Sequence, residues 1–460
     1  MPYLRIATQG GVITPDELQR LALIAKKWAL GKIEVGFRQD LLIPCTDSQR
    51  SLLRSQLMSE GFGVEEAAAA HPNIVSSLVA QNIFPQLSWL RSGDYLDILD
   101  EFTFKPRLKI NLIDPTQELI RPLTGELNFI ASPTPSFWYL VVNLSELGGI
   151  HVWPKLVDGE QIADWVQHIE KIWLENPRSN RSFEELYGTV SKTFTGRTRP
   201  IQKELKLTPK PYPHHEGIYR YDDRYWMGLY QRGNEFDTVF LEALCQLCID
   251  TKIGRLYPTP FKTFIVRDIP KEAIYQWEKL LGIWGIHTHY SSLELNWQLP
   301  DADASALCLK TELVEAFERL RIRTSSLSFG IGYRNAETTS TIVIEPLSTD
   351  YQRFRVVHSP DFYIGNTEWE VFAGDVARKN LPEILRRLTL KYYEQLSTDK
   401  KASITRKTSG LKPAPTQRVM QCTHCQTVAE LSSPLPSSYL CSLCDAPLAD
   451  FVEVELEIAP

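Results

Sequence analysis

Two pairs of cysteines constrain this chain more tightly than any other feature. They are Cys422-x-x-Cys425 and Cys441-x-x-Cys444, separated by the stretch from Gln426 to Leu440. A CxxC turn brings two thiolates to one side of a metal ion, and two such turns complete a tetrahedral S4 site that suits iron or zinc. The 460-residue chain holds eight cysteines, and half of them fall between Cys422 and Cys444. In a reducing compartment that clustering predicts a metal centre, not a disulfide framework.

The compartment is itself an expectation. The start, MPYLRIATQGG, lacks the apolar stretch and cleavage site of a signal peptide, and no run of about 18 apolar residues occurs. The chain is therefore read as cytoplasmic, with no membrane partner. Its net charge of -6 provides no field for nucleic acid. With 43% hydrophobic residues and 11 Trp it can build a large core, and its length predicts about three domains.

Before the cysteines, an order of elements repeats. Gly10-Gly11 precede Thr14-Pro15-Asp16-Glu17, a capping box with proline at the first helical position. Leu18, Leu21, Ala22 and Ala25 then recur at helical spacing. A strand is expected over Lys32 to Pro44, and a second helix over Asp47 to Glu60. Gly233-Asn234, a helix through Leu247, a strand from Gly254 to Val266 and a helix from Lys271 to Leu281 repeat that order about 220 residues later. Mixed strands and helices follow each copy. Ser397 to Pro415 is polar and basic without apolar periodicity, so a flexible tether is expected ahead of the cysteines. Among the other cysteines, Cys245, Cys248 and Cys308 are expected in core positions and Cys45 in a more open one. His214-His215 is expected at the surface.

Around the second cysteine pair, Tyr439-Leu440-Cys441-Ser442-Leu443-Cys444-Asp445-Ala446-Pro447, with Phe451 beyond, resembles the second half of a rubredoxin. The resemblance runs from the first cysteine pair to near the end of the sequence. It implies one-electron transfer through an iron held by four thiolates, with Tyr439 and Phe451 packed beside it. Gln426 and Asp445 stand where the family has glycine after each CxxC. Asp tolerates the left-handed conformation required there better than Gln. Ser442 replaces the usual proline, and the loop between the pairs is shorter. Zinc ribbons share the ligand pattern, so zinc stays open beside iron.

The repeated region resembles the ferredoxin-like half-domains of siroheme-dependent nitrite and sulfite reductases. The resemblance rests on Gly10 to Pro15, Phe37-Arg38-Gln39, Pro106-Arg107-Leu108-Lys109-Ile110 and Leu127 to Ala131, and in the second half on His214 to Ile218 and Trp226 to Leu229. It implies that Arg38, Arg107 and Lys109 face an anion or the carboxylates of a tetrapyrrole. Ordinary solvated strand-edge charges are the alternative. The family holds a [4Fe–4S] cluster with Cys-x5-Cys and Cys-x3-Cys pairs, which here fall on Leu299 to Ser305 and Ser328 to Asn335. Neither stretch contains cysteine, so no [4Fe–4S] cluster is expected, and siroheme is left in doubt.

The resulting expectation is an α+β protein of two pseudo-symmetric ferredoxin-like and siroheme-reductase-like halves plus a small rubredoxin-like module with a four-cysteine metal site. Half-domains are expected at 1–72 and 211–295, each followed by a reductase-like α+β domain at 73–210 and 296–396. A linker at 397–417 and the module at 418–460 complete the order. The function expected is an oxidoreductase-associated electron carrier, not a complete siroheme reductase. Its partner would be a redox protein, with a nitrite or sulfite reductase as one choice. A non-redox scaffold with a structural zinc ribbon is the alternative.

Overall fold

The computed structural model describes residues 3–66, 74–84, 86–175, 182–207, 212–335, 337–362, 368–408, 416–424, 427–429 and 435–457. The chain divides into two units, Met1–Thr389 and Leu390–Pro460. The larger is the body; the smaller contains the cysteine module.

The repeat expected from the sequence is present as structure. The first helix is Pro15–Lys27, where Thr14 accepts from the Glu17 N–H and the Glu17 carboxylate accepts from the Thr14 N–H. Its counterpart is Thr238–Asp250, capped by Asp237, so that Pro15 corresponds to Thr238. Leu18, Leu21 and Ala25 share one hydrophobic core with Phe240, Leu244 and Cys248. The second helices are Asp47–Ser59 and Ile274–Ile283, the latter entered through a 3-10 turn at Lys271–Ala273.

Each expected long strand is instead a hairpin. Lys32–Val35 and Leu41–Pro44 are joined by a turn closed by Gly36 N–H to Asp40 O at 2.7 Å. Leu256–Pro258 and Thr263–Pro270 are joined in the same way, with Thr259 N–H to Thr263 O at 2.9 Å. Gln39 and Lys262 occupy equivalent turn positions, both at φ 59°. Neither is a residue type that announces a left-handed turn, so the reversals are hidden in the sequence.

The two repeats exchange strands. Glu235–Asp237, immediately before the second repeat's helix, pairs with the first repeat's hairpin, with Phe236 opposite Ile33. In the mirror arrangement Ile13, just before the first repeat's helix, bridges Leu256 of the second hairpin. Ile13 corresponds to Phe236 and Ile33 to Leu256, at the same offset that relates Pro15 to Thr238. The repeats, expected as half-domains at 1–72 and 211–295 of a pseudo-symmetric pair, are therefore joined as halves of one folding unit.

Two further sheets have related topology. In one, Ile74–Ser76, Ile110–Ile113 and Leu127–Ala131 run parallel, and Phe137–Val142 and Lys155–Asp158 continue antiparallel. In the other, Trp297–Gln298, Phe329–Ile331 and Ile342–Pro346 are parallel, followed by antiparallel Arg353–His358 and Glu370–Ala377. Loops at the carboxyl ends of parallel strands are where such sheets gather polar groups. Here they carry Asp301 and Glu337.

The expected tether is corrected by the helix Leu381–Thr408. Once nucleated, a helix extends through a charged segment at low cost when its residues are good helix formers. Lys400, Lys401, Ala402, Arg406 and Lys407 are of that kind. Residues 409–415 lie outside the described residues, and a strand begins at Thr416. Among the described residues no helix is long and apolar enough to cross a membrane.

Candidate metal centre and the basic cluster of the body

The module is a three-stranded antiparallel sheet, with Thr416–Cys422 between Phe451–Glu457 and Val428–Ala429. The register sets Cys422 opposite Phe451. The second knuckle folds back on itself: the Cys441 N–H donates to Ala446 O at 2.8 Å, and the Asp445 N–H donates to Cys441 O at 3.0 Å. Asp445 has φ 56°, the left-handed conformation expected at this position. Leu440 bridges Pro447 and closes the loop.

This folding gathers thiols. The sulfurs of Cys422, Cys441 and Cys444 lie within 4.8 Å of one another, and Cys422 Sγ is 3.6 Å from Cys444 Sγ. A disulfide needs about 2.05 Å. Tetrahedral ligands on a metal–sulfur bond of about 2.3 Å stand about 3.8 Å apart, so the observed spacing suits a shared ion. Cys425, the fourth expected ligand, and Gln426 lie outside the described residues. Cys422 and Cys441 are buried and Cys444 is exposed. Phe451 packs in the same small core, edge-on to Tyr439 at 5.5 Å. Thr423 ties the first knuckle to the Asp450 carbonyl through its N–H and its hydroxyl, both at 2.9 Å.

In the body, the three basic residues singled out from the sequence are separated in role. Arg38 is almost fully buried and donates to Ile110 O at 3.1 Å, Asn111 Oδ1 at 3.2 Å and Thr124 O at 3.4 Å. Burial lowers its pKa, against the raising influence of Glu337 and Asp40. Lys109 donates to Glu337 Oε1 at 2.6 Å, and Arg38 Nη1 stands 3.8 Å from the same oxygen. Arg107 is exposed, and its backbone N–H is held by Glu170.

Two residues that the sequence did not single out complete the picture. Asp301, in the stretch where a cluster cysteine would fall, accepts from Lys262 Nζ at 2.6 Å, Arg5 Nη2 at 2.9 Å and the Phe37 N–H at 3.1 Å. Burial pushes its pKa up, but Lys262 and Arg5 outweigh burial and hold the carboxyl down at about 2. Arg5 also pairs with buried Asp40. Glu337 is the second: it joins Arg38 to Lys109.

The other cysteine and histidine expectations divide. Cys245 and Cys248 are buried, and burial raises both thiols, Cys245 to about 12. Cys308 is exposed, contrary to expectation, because it sits on the outer face of Ala304–Arg319 beside Glu312. Cys45 is buried, also contrary to expectation, within the repeats' shared core. His214 is exposed, but His215 is buried: it stacks on Phe261 at 4.6 Å, and burial lowers its pKa to about 3.

Residues 2–48 match the nitrite/sulfite reductase ferredoxin-like half domain. A solved structure described as the Mycobacterium tuberculosis NirA protein superposes with a TM-score of 0.62 and 16% sequence identity, over 84% of this chain and 80% of that one. The body has a nitrite/sulfite-reductase-like fold. No curated protein matches the chain in sequence.

The reductase-like body does not fit siroheme with the residues that the resemblance offered. A tetrapyrrole carboxylate needs donors facing an open space. Arg38 is directed at backbone carbonyls, Lys109 at Glu337, and Arg107 at solvent. A cavity beside Phe37, Lys262 and Gln298 has a volume of about 20 Å³, room for about one water, and the wider cleft of about 470 Å³ at Arg334, Glu345 and Arg355 is lined by none of the three.

Proposed function

We propose that this chain is an iron-binding electron-transfer protein of rubredoxin type, in which a degenerate nitrite/sulfite-reductase-like body docks a redox partner. A nitrite or sulfite reductase is the first candidate for that partner, in the cytoplasm. The observation that carries the reading is the gathering of Cys422, Cys441 and Cys444 on one centre, with Asp445 in the left-handed knuckle conformation and Phe451 packed beside them.

Bound iron supplies a one-electron couple with no proton to move. The chain's residues supply the rest. Buried Cys422 and Cys441 keep water from one side of the centre. Exposed Cys444, with Leu443 65% and Leu440 53% exposed, gives an apolar edge through which a partner can approach. Covalent linkage to a docking body raises the effective concentration of the module at the partner.

The test is rapid mixing of the reduced full-length protein with an oxidised nitrite or sulfite reductase. Electron transfer that slows at least tenfold when the module is severed from the body supports the reading; equal rates with and without the body argue against docking. A zinc ribbon is the second reading, favoured by Gln426 and Ser442, which depart from the iron pattern. In that case no electron transfer is seen.

A further inference from the structure

An open cleft of about 470 Å³ lies in the second half of the body, lined by Tyr333, Arg334, Glu345, Pro346, Leu347 and Arg355. Sites for small molecules have volumes of about 300–1,000 Å³, so the cleft has room for a ligand larger than a simple inorganic ion.

Hydrogen-bonded backbone builds both of its walls. Glu345 and Arg355 stand opposite each other on the antiparallel strands Ile342–Pro346 and Arg353–His358, so their side chains leave the same face of the sheet. Leu347 continues that wall, with its N–H donating to Arg353 O at 2.8 Å. The other wall is the turn after Phe329–Ile331. The Gly332 N–H donates to Ile344 O at 3.1 Å. Gly332 has φ 126°, and a Cβ there would come within 3.1 Å of Pro300, so this reversal requires glycine. It brings Arg334 to Glu345, where Arg334 Nε donates to Oε1 at 2.6 Å. The Asn335 N–H, donating to Thr338 Oγ1 at 2.9 Å, secures the loop beyond.

The charges in the cleft do not balance. Arg334 engages Glu345 through Nε, and Arg355 Nη1 stands 3.8 Å from the other carboxylate oxygen, which is beyond a hydrogen bond. Two guanidinium groups thus share one carboxylate, and one positive charge is in surplus. Nearby Arg353 adds nothing, because Asp375 answers it. A phosphate monoester carries about -1.5 to -2 near pH 7, more than the surplus, whereas a monocarboxylate matches it and fits a guanidinium fork. Beside the charges lies apolar and aromatic surface. Tyr333 is 70% and Leu347 44% exposed, Pro346 lies next to Leu347, and the Arg334 guanidinium stands 5.4 Å from the centre of the Trp369 ring.

We propose that this cleft binds a small aromatic monocarboxylate, whose carboxylate meets Arg355 and Arg334 and whose ring lies against Tyr333 and Leu347. The inference stands apart from the iron module and survives its failure.

The test is ligand-observed saturation-transfer NMR on the full-length chain, with phenylacetate, its uncharged amide phenylacetamide, and acetate as probes at constant ionic strength. Phenylacetate should receive saturation in a titratable manner, and phenylacetamide and acetate should bind roughly tenfold more weakly, the scale of one charge-assisted contact. Arg355→Gln and Tyr333→Ala alter exposed side chains, and each should weaken phenylacetate binding by a similar factor while the melting temperature stays within a few degrees of wild type. Arg107→Gln, which removes a cation elsewhere on the body, should leave binding unchanged. Absent saturation of phenylacetate overturns the proposal, as does equal binding of the amide. Undiminished binding in both Arg355→Gln and Tyr333→Ala, or an equal loss in Arg107→Gln, overturns it as well.

Discussion

Asp301 shows how a single residue both stabilises the body and departs from the reductase pattern. It is mostly buried, and three donors reach it: Lys262, Arg5 and the Phe37 N–H. Replacing it with asparagine leaves buried Lys262 without its counter-charge and Arg5 with Asp40 alone, which should cost about 3–5 kcal/mol at neutral pH. The pH dependence has a definite sign. The folded carboxyl is held at about 2, below its unfolded value of about 3.9, so its contribution is present above about pH 4 and is lost as pH falls through about 2. Denaturant titrations should therefore show a stability gap between wild type and Asp301→Asn that narrows over that interval. A gap that stays constant with pH would mean that Asp301 acts by packing alone. The sequence revealed that a cysteine was missing at this stretch, but not what the aspartate does. Its partner Arg5 is 296 residues away in the chain, and no local pattern records such a pairing. Glu337 was hidden for the same reason, since Lys109 is 228 residues away.

At the scale of elements, local chemistry was the legible part. The Thr14–Glu17 capping box and the Leu18–Ala25 periodicity place the first helix correctly, and Leu127–Ala131, one of the segments that carry the resemblance, is a strand. The hairpin reversals were not legible, because Gln39 and Lys262 adopt φ 59° without being glycine or asparagine. The strand exchange follows from those reversals, and it makes the two repeats cooperative. Phe236 sits at its centre, fully buried and edge-on to Phe264 at 5.0 Å. Phe236→Ala should destabilise the body by about 3–5 kcal/mol. Because Phe236 pairs with Ile33 of the other repeat, amide exchange should accelerate together in Leu41–Pro44 and Thr263–Pro270. Acceleration confined to the second repeat would show that the halves open independently.

For the whole molecule, a reductase-like body is joined to a thiol-rich module, and the two differ in how openly the sequence displays them. The module was legible because metal chelation demands fixed spacing between ligands. The body's fold was legible only through scattered short motifs, and the segment after Ser397 was misjudged because a charged helix resembles a tether in composition. Chemistry at the body has a clear expectation. Six-electron reduction of nitrite or sulfite needs electrons stored beside the substrate, and Leu299 to Ser305 and Ser328 to Asn335 contain no thiol. Purified from cells that make siroheme and supplied with a strong reductant, the chain should show no sustained conversion of nitrite to ammonia; steady turnover would reverse this view of the body. The most direct test of the whole account is the absorption spectrum of the purified protein, taken with its metal content before and after reduction. One iron per chain, a red colour and thiolate-to-iron bands that bleach on reduction and return in air are the predicted result. A colourless protein holding zinc, or holding no metal, would contradict it.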